Sequence, residues 1–264
     1  IKVAGIAALE REVFGPVLHI ATFKVQQIDA VIDDINATGY GLTFGLQSRI
    51  DARVAHVSGR VAAGNIYVNR NQIGAIVGSQ PFGGEGMSGT GPKAGGEHYL
   101  TRFRKHAPSV AGTGWTVADT YARLNTALTT APHGAPVKTT SLPGPTGESN
   151  VMTVLPRGPI LCLGPGQGAA QAQVKSVEAL GGIAVATEGY IEAEWLTDLP
   201  FFGVMWWGEI ARARALSLAL SRRAGPILPL ITGTPDVGHV CHERHLCVDT
   251  TASGGNVQLL NGLV

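Results

Sequence analysis

Cysteine is scarce in this chain of 264 residues, with 3 in all, at Cys162, Cys241 and Cys247. An odd set without regular spacing excludes a disulfide-stapled scaffold and suits a reducing compartment, so a cytoplasmic location is expected. Charge is thin as well, at 15% of residues, and 20 basic against 19 acidic side chains leave a formal net charge of +1. That balance, with no long basic run, leaves no electrostatic footprint for nucleic acid. No apolar run approaches the ~20 residues of a membrane span, and the longest candidate, residues 201–207, is strand-sized. A signal-peptide pattern, a G-x-S-x-G nucleophile elbow and a P-loop lysine motif are all missing.

Glycine is abundant instead, with 36 residues. It is densest in Gln80-Pro81-Phe82-Gly83-Gly84-Glu85-Gly86-Met87-Ser88-Gly89-Thr90-Gly91-Pro92-Lys93-Ala94-Gly95-Gly96. Glycine lets a main chain or a ligand come close to the peptide plane, at a large entropic cost that ordered contacts must offset. Pro81, Phe82, Met87 and Pro92 are wrong for a free linker, so the loop is expected to expose its backbone N–H groups at a site. Upstream, Gly64-Asn65-Ile66-Tyr67-Val68-Asn69 reads as a strand that delivers the loop at residues 70–78.

The hydrophobic content of 44% supports a sizeable core and two compact units. Ile28, Val31, Ile32 and Ile35 recur at helical spacing over residues 26–38, with Gly39 as the stop. A strand over 40–44, a helix over 52–63 and a strand over 65–69 follow. Residues 107–150 are rich in Ala, Thr, Gly and Pro and read as a connector with one helix over 115–128, on the stripe Val117, Tyr121, Leu124 and Leu128. Beyond it, strands over 159–163, 182–187, 201–207 and 226–231 alternate with helices over 167–180 and 209–224. The fold class is therefore α/β, with a doubly wound parallel sheet in the second half.

Two motifs there invite chemistry. Gly164-Pro165-Gly166-Gln167-Gly168-Ala169 lies between strand and helix, and Glu188 follows at about the ~20-residue distance of a ribose-binding acid. A bare strand-to-helix turn also needs glycines, and Pro165 stiffens the turn that would cradle a pyrophosphate. His239, Cys241, His242, His245 and Cys247 crowd nitrogen and sulfur ligands together. Strand alternation places Cys241, His245 and Cys247 on one face and His242 on the other, unlike a paired C-x-x-C site, so no metal site is expected.

In order along the chain, Glu12-Val13-Phe14-Gly15-Pro16-Val17, Thr38-Gly39-Tyr40-Gly41-Leu42-Thr43, Gly64 to Asn71, Pro81-Phe82-Gly83-Gly84 and Ser88-Gly89-Thr90-Gly91 resemble the C-terminal part of aldehyde dehydrogenases. Asn71-Gln72-Ile73-Gly74-Ala75-Ile76-Val77-Gly78 and Gly91-Pro92-Lys93-Ala94-Gly95-Gly96 resemble, within that superfamily, the L-glutamate γ-semialdehyde dehydrogenase module of the bifunctional proline utilization A (PutA) family. Leu142-Pro143-Gly144-Pro145-Thr146-Gly147-Glu148 and the run from Glu243 to Asn256 resemble the extra C-terminal domain of its long members. The resemblance covers nearly the whole chain, most weakly at 113–138.

It implies an aldehyde dehydrogenase-like portion at 1–106, a connector at 107–150, and a Rossmann-type C-terminal domain at 151–264 with a structural role. By the same resemblance, residues 243–260 pack on the dehydrogenase module and help enclose a tunnel between active sites. Glu12 and Phe14 would serve NAD, the carboxylate on the nicotinamide ribose and the ring beside the nicotinamide. Gly74 and Ala75 would hold the substrate α-carboxylate through backbone N–H groups, with Phe82 beside its aliphatic chain. Family members oxidise proline with FAD and then oxidise the semialdehyde to glutamate with NAD. The implied partners are the remainder of a PutA chain and L-glutamate γ-semialdehyde, a homo-oligomer stays open, and full-length members can associate peripherally with the inner membrane. The family's nucleophilic cysteine would lie upstream of Ile1, so no catalytic residue is assigned and the chain alone is expected to be inactive. The rival readings are a non-catalytic capping or oligomerisation module and a small Rossmann-type nucleotide binder.

Overall fold

The computed structural model describes residues 1–9, 11, 13–89, 91–104 and 114–251. In chain order its elements are α1 (Ile28–Ala37), β1 (Tyr40–Gly41), β2 (Thr43–Leu46), α2 (Asp51–Arg60), β3 (Asn65–Val68) and β4 (Glu85–Gly86). There follow α3 (Tyr121–Thr129), β5 (Lys138–Leu142), β6 (Glu148–Pro156), β7 (Ile160–Cys162), α4 (Gly166–Glu178) and β8 (Ala184–Ala186). The last are β9 (Gly203–Met205), α5 (Ile210–Ser221), β10 (Leu230–Ile231), α6 (Val237–Val240) and β11 (Cys241–Asp249). The alternation is that of an α/β protein, as the sequence pattern implies.

Helix α1 ends where Gly39 adopts φ 75°, so the stop lies where the sequence places it. Its Ile32 packs with Val57 from α2, with Val61 just after that helix and with Ile66 and Val68 from β3, one apolar cluster that seats both helices on the strand. The strand expected over 40–44 is split: β1 pairs antiparallel with β4, whereas β2 pairs parallel with β3. The chain changes partner at Gly41 and Leu42, whose carbonyls accept the N–H groups of Gly64 and Asn65.

Helix α3 starts at Tyr121, later than the stripe through Val117 suggests. Val117 is instead 57% exposed in an extended stretch bridged to Tyr190. A buried carboxylate decides this: Asp119 accepts from the N–H of Thr120 at 2.7 Å and of Glu188 at 2.8 Å, and the Thr120 hydroxyl caps the helix through Arg123 N.

Four parallel strands form the second-half sheet in the order β10-β9-β7-β8, with chain reversal between β7 and β9. One face packs on α5, α3 and the turn at Ala193–Thr197 through Leu216, Leu124 and Leu196. The opposite face packs on α4 through Val177 and on Val154 of β6. Both faces are thus covered, the layering a parallel sheet requires.

A third sheet runs β2-β3-β11-β6-β5. Strands β5 and β6 form an antiparallel hairpin within and beyond residues 107–150 that composition alone does not reveal. Strand β11 lies between β3, to which it is parallel, and β6, to which it is antiparallel. Strand β11 therefore completes the sheet begun by the first hundred or so residues, its register with β3 running from His245 to Val248. Residues 252–260 of the expected 243–260 segment, with Gly254-Gly255-Asn256 among them, and His106 lie outside the described residues.

The glycine-rich run spends its close approaches on its own chain. An added Cβ at Gly64 would fall onto the Gly83 carbonyl oxygen and 2.8 Å from Gly84 Cα, while Gly64 also links Gly41 and His245 through its N–H and C=O. Gly64→Ala is expected to cost about 1–3 kcal/mol, because the opposing atoms are backbone and cannot rotate away. Urea denaturation followed by tryptophan fluorescence measures this, and an unchanged midpoint would show that the loop gives way freely.

Candidate substrate-binding site

Strand β3 is buried along its length and aims its end at the loop of residues 70–79. Tyr67, 0% exposed, donates its hydroxyl to the Gly74 carbonyl oxygen at 2.7 Å. Burial pushes the phenol pKa up, so it holds its proton as the donor this bond needs. With its carbonyl turned back into the protein, Gly74 sits half-buried and Ala75 exposed. Among the described residues no acceptor takes the N–H of Gly74 or of Ala75. A side chain at Gly74 would meet Gln80 Oε1 at 2.5 Å and Arg70 Nη2 at 3.3 Å, so the position admits glycine alone without rearrangement.

The loop's feet are tied from behind. Arg70 pairs with Glu148, reaches Cys247 Sγ at 3.1 Å and stacks over the Tyr67 ring at 5.5 Å. Gln80, 1% exposed, donates to Glu148 Oε1 at 2.7 Å. Phe82 follows, half-buried and bridged antiparallel to Ala94 through N–H···O bonds of 3.0 and 2.9 Å. The structure thus brings Gly74, Ala75 and Phe82 onto one loop system. Phe14 is apart from that framework, 89% exposed, and Glu12 lies outside the described residues.

Sequence reasoning missed the buried groups that support this loop system. Asn65, 0% exposed, donates to the Pro81 carbonyl at 2.9 Å and accepts from Gly83 N at 3.1 Å and Lys93 Nζ at 2.8 Å. Lys93 is 1% exposed, and its backbone N–H donates to Glu243 Oε2 of β11 at 2.7 Å. Burial lowers the Lys93 pKa to about 8, against the pull of Glu243 and Glu85. Arg244 of β11 grips Glu85 bidentately at 2.7 and 2.8 Å. An asparagine and a lysine flanked by apolar or glycine-rich sequence were the available signal; Glu243 and Glu148 carried none, since their partners lie far away in the chain.

The three cysteines are free and buried. Burial drives the Cys162 thiol pKa far up and those of Cys241 and Cys247 to about 11, so each is a protonated thiol at neutral pH rather than a nucleophile. Cys241, Glu243, His245 and Cys247 share the buried face of β11 and His242 the other, as alternation requires. No group of metal-ligating side chains gathers among the described residues.

At the reversal point of the parallel sheet, the turn after β7 is occupied by its own chain. Gln173, 0% exposed, accepts from Gly164 N and donates to Gly164 O, both at 2.9 Å. Gly166, at φ 77°, lies under the Gly114 carbonyl, which an added Cβ would approach to 2.7 Å. Trp115 donates to Leu163 O at 2.8 Å, and Glu188 pairs with Arg123 at 3.3 Å. A cavity of about 420 Å³ elsewhere, between Arg102, Arg157 and Ile227, is larger than the 330 Å³ one beside this turn, but neither touches the 70–79 loop.

Buried histidines set a pH dependence. Burial lowers His245, 0% exposed, and His242 to about 4 from an ordinary 6.5, with Lys93 opposing protonation of both. The unfolded chain therefore binds more protons between pH 6.5 and 4, and stability falls as pH drops through that window. The urea midpoint at pH 5 is expected to lie below that at pH 7, with a smaller difference in His245→Gln; equal midpoints for the parent protein at the two pH values would refute the assignment.

A family model described as aldehyde dehydrogenase family matches residues 5–106. The bifunctional protein PutA of Rhizobium meliloti is 36% identical over 302 aligned residues, covering 98% of this chain and 25% of the relative. A 1-pyrroline-5-carboxylate dehydrogenase of Geobacillus thermodenitrificans is 46% identical over 92 residues, 35% of this chain and 18% of the relative. A solved structure of proline utilization A from Corynebacterium freiburgense has 21% identity and a TM-score of 0.53, covering 88% of this chain and 25% of that one, which shows the likeness of fold. The chain spans about a quarter of the length of the PutA relatives it matches. Residues 5–106 thus carry an aldehyde dehydrogenase domain match, and the chain matches PutA along 98% of its length.

Proposed function

We propose that this chain forms one wall of an NAD-dependent dehydrogenase site that oxidises L-glutamate γ-semialdehyde to L-glutamate in proline catabolism, as part of a longer PutA-type polypeptide. The observation that carries the reading is the pair of N–H groups at Gly74 and Ala75 that no acceptor among the described residues takes, on a loop pinned to a buried strand by Tyr67. Two consecutive amides without a partner suit an α-carboxylate, and glycine at 74 spares the loop a clash with Gln80 and Arg70 behind it.

In this reading Gly74 and Ala75 fix the carboxylate end of the substrate, and Phe82 flanks its aliphatic chain. Holding that end at a set distance places the aldehyde carbon where the reaction occurs, an effect that converts binding energy into orientation. Phe14 offers an exposed apolar face for the nicotinamide ring, and Glu12 the carboxylate for its ribose. NAD, when bound, supplies the acceptor for hydride. The thiolate nucleophile comes from polypeptide beyond this sequence, because Cys162, Cys241 and Cys247 are buried and protonated. FAD belongs to a separate proline dehydrogenase domain, and nothing in this chain is assigned to it. The isolated chain is therefore inactive, and a cytoplasmic setting suits its reduced cysteines.

The large apolar side chains exposed on residues 1–25, among them Ile1 at 72% and Leu18 at 71%, are surface that further polypeptide would cover. The division at 1–106, 107–150 and 151–264 serves this reading, with the last part a Rossmann-type structural domain and the segment from Glu243 onward enclosing a tunnel. Its β11 is already built into the sheet that holds the loop. A merely passive capping module is the rival, and it predicts that altering the loop leaves the aldehyde kinetics untouched. Gly74→Val in the natural gene product is expected to raise KM for the semialdehyde by about tenfold or more, with a smaller change in kcat. Steady-state NADH production measures it, and an unchanged KM would remove the assignment.

A further inference from the structure

The loop that carries Gly74 and Ala75 exposes Ile73 at 82% and Val77 at 84%, and between its ends it is held by the Tyr67 bond to Gly74 and by Gly78 N to Gly95 O at 3.0 Å. Its two feet meet one carboxylate. Glu148, the first residue of β6, pairs through Oε2 with Arg70 and accepts at Oε1 from Gln80 Nε2 at 2.7 Å. Asn150 Nδ2 donates to the same Oε1 at 2.8 Å and steadies the carboxylate on its strand.

Arg70 and Gln80 bracket the loop. Arg70 Nη2 reaches the Ile73 carbonyl at 3.4 Å, while Gln80 exchanges backbone bonds with Ile76 at 2.8 and 3.1 Å. The side chains of Glu148 and Arg70 are 15% and 19% exposed, so the pair is well shielded from water, where a charge-assisted bond holds geometry better than a surface pair does. We propose that Glu148 is a positioning residue for the carboxylate-binding loop, so that the hairpin next to β11 sets the affinity of the dehydrogenase site for substrates bearing an α-carboxylate. The proposal rests on the reading of Gly74 and Ala75 given above.

Loss of the clamp multiplies the conformations open to the loop. Apparent affinity falls in proportion to the fraction of molecules that hold the amides in the binding arrangement. Removing a negative charge near a carboxylate site would by itself favour binding, so a rise in KM on removing Glu148 reports lost positioning rather than altered field.

The test uses the natural gene product with Glu148→Ala, Gln80→Leu and the double variant, assayed with L-glutamate γ-semialdehyde and with propionaldehyde, which has no carboxylate. Each single variant is expected to raise KM for the semialdehyde by about tenfold, with kcat within about threefold and propionaldehyde kinetics unchanged. The double variant should add little beyond either single one, because both act through one clamp. Should Glu148→Ala fail to fold in thermal unfolding, Gln80→Leu decides. A lowered or unchanged KM, or equal losses on both aldehydes, overturns the proposal. If Gly74→Val raises KM selectively while the clamp variants do not, the loop assignment stands and this inference alone fails. A parent protein that does not oxidise the semialdehyde sinks both.

Discussion

Strand β11 is hydrogen-bonded along both edges, to β3 on one side and to β6 on the other. Its two faces carry paired charges: Glu243, 8% exposed, takes the backbone N–H of Lys93, and Arg244 on the other face holds Glu85 within the glycine-rich run. Buried charges without partners cost several kcal/mol each, so these groups tolerate only the register in which each meets its mate. The strand order of the sheet, the seating of the loop at residues 80–96 and the approach of β6 to Arg70 all depend on that register.

The consequence for chemistry is a rigid back to an otherwise exposed loop. Asn65, Tyr67 and Lys93 are buried polar groups whose bonds end on backbone atoms of residues 74–83, so the energy of satisfying them is spent on loop geometry. Glycine serves the same end at Gly64, where the loop backbone lies against the strand with no room for a side chain. The glycine-rich run is ordered mostly through such internal contacts, and the amides without a described acceptor belong to the shorter loop before it.

The second-half sheet meets this assembly through Val154 and Cys241, which pack under α4. Its strand-to-helix turn has the glycines of a phosphate cradle, yet Gln173 and the Gly114-Trp115 segment fill the space and take up its polar atoms. The glycines there satisfy the backbone turn itself.

Periodicity in the sequence determined what is local. The apolar spacing of Ile28 to Ile35, the stop at Gly39, the strand at Asn65 and the alternation across β11 can each be read from a handful of neighbouring residues, because helix and strand periods repeat within them. The order of the aldehyde dehydrogenase motifs likewise lies open in the chain. The hairpin of β5 and β6, the delayed start of α3 and the split near Gly41 needed the fold, since their causes are a bridge to Tyr190, the carboxylate of Asp119 and the carbonyls that meet Gly64 and Asn65. Only tertiary structure could join Arg70 to Glu148 across 78 residues or Lys93 to Glu243 across 150, because a buried charge selects its partner by position in space and leaves no periodic trace in sequence.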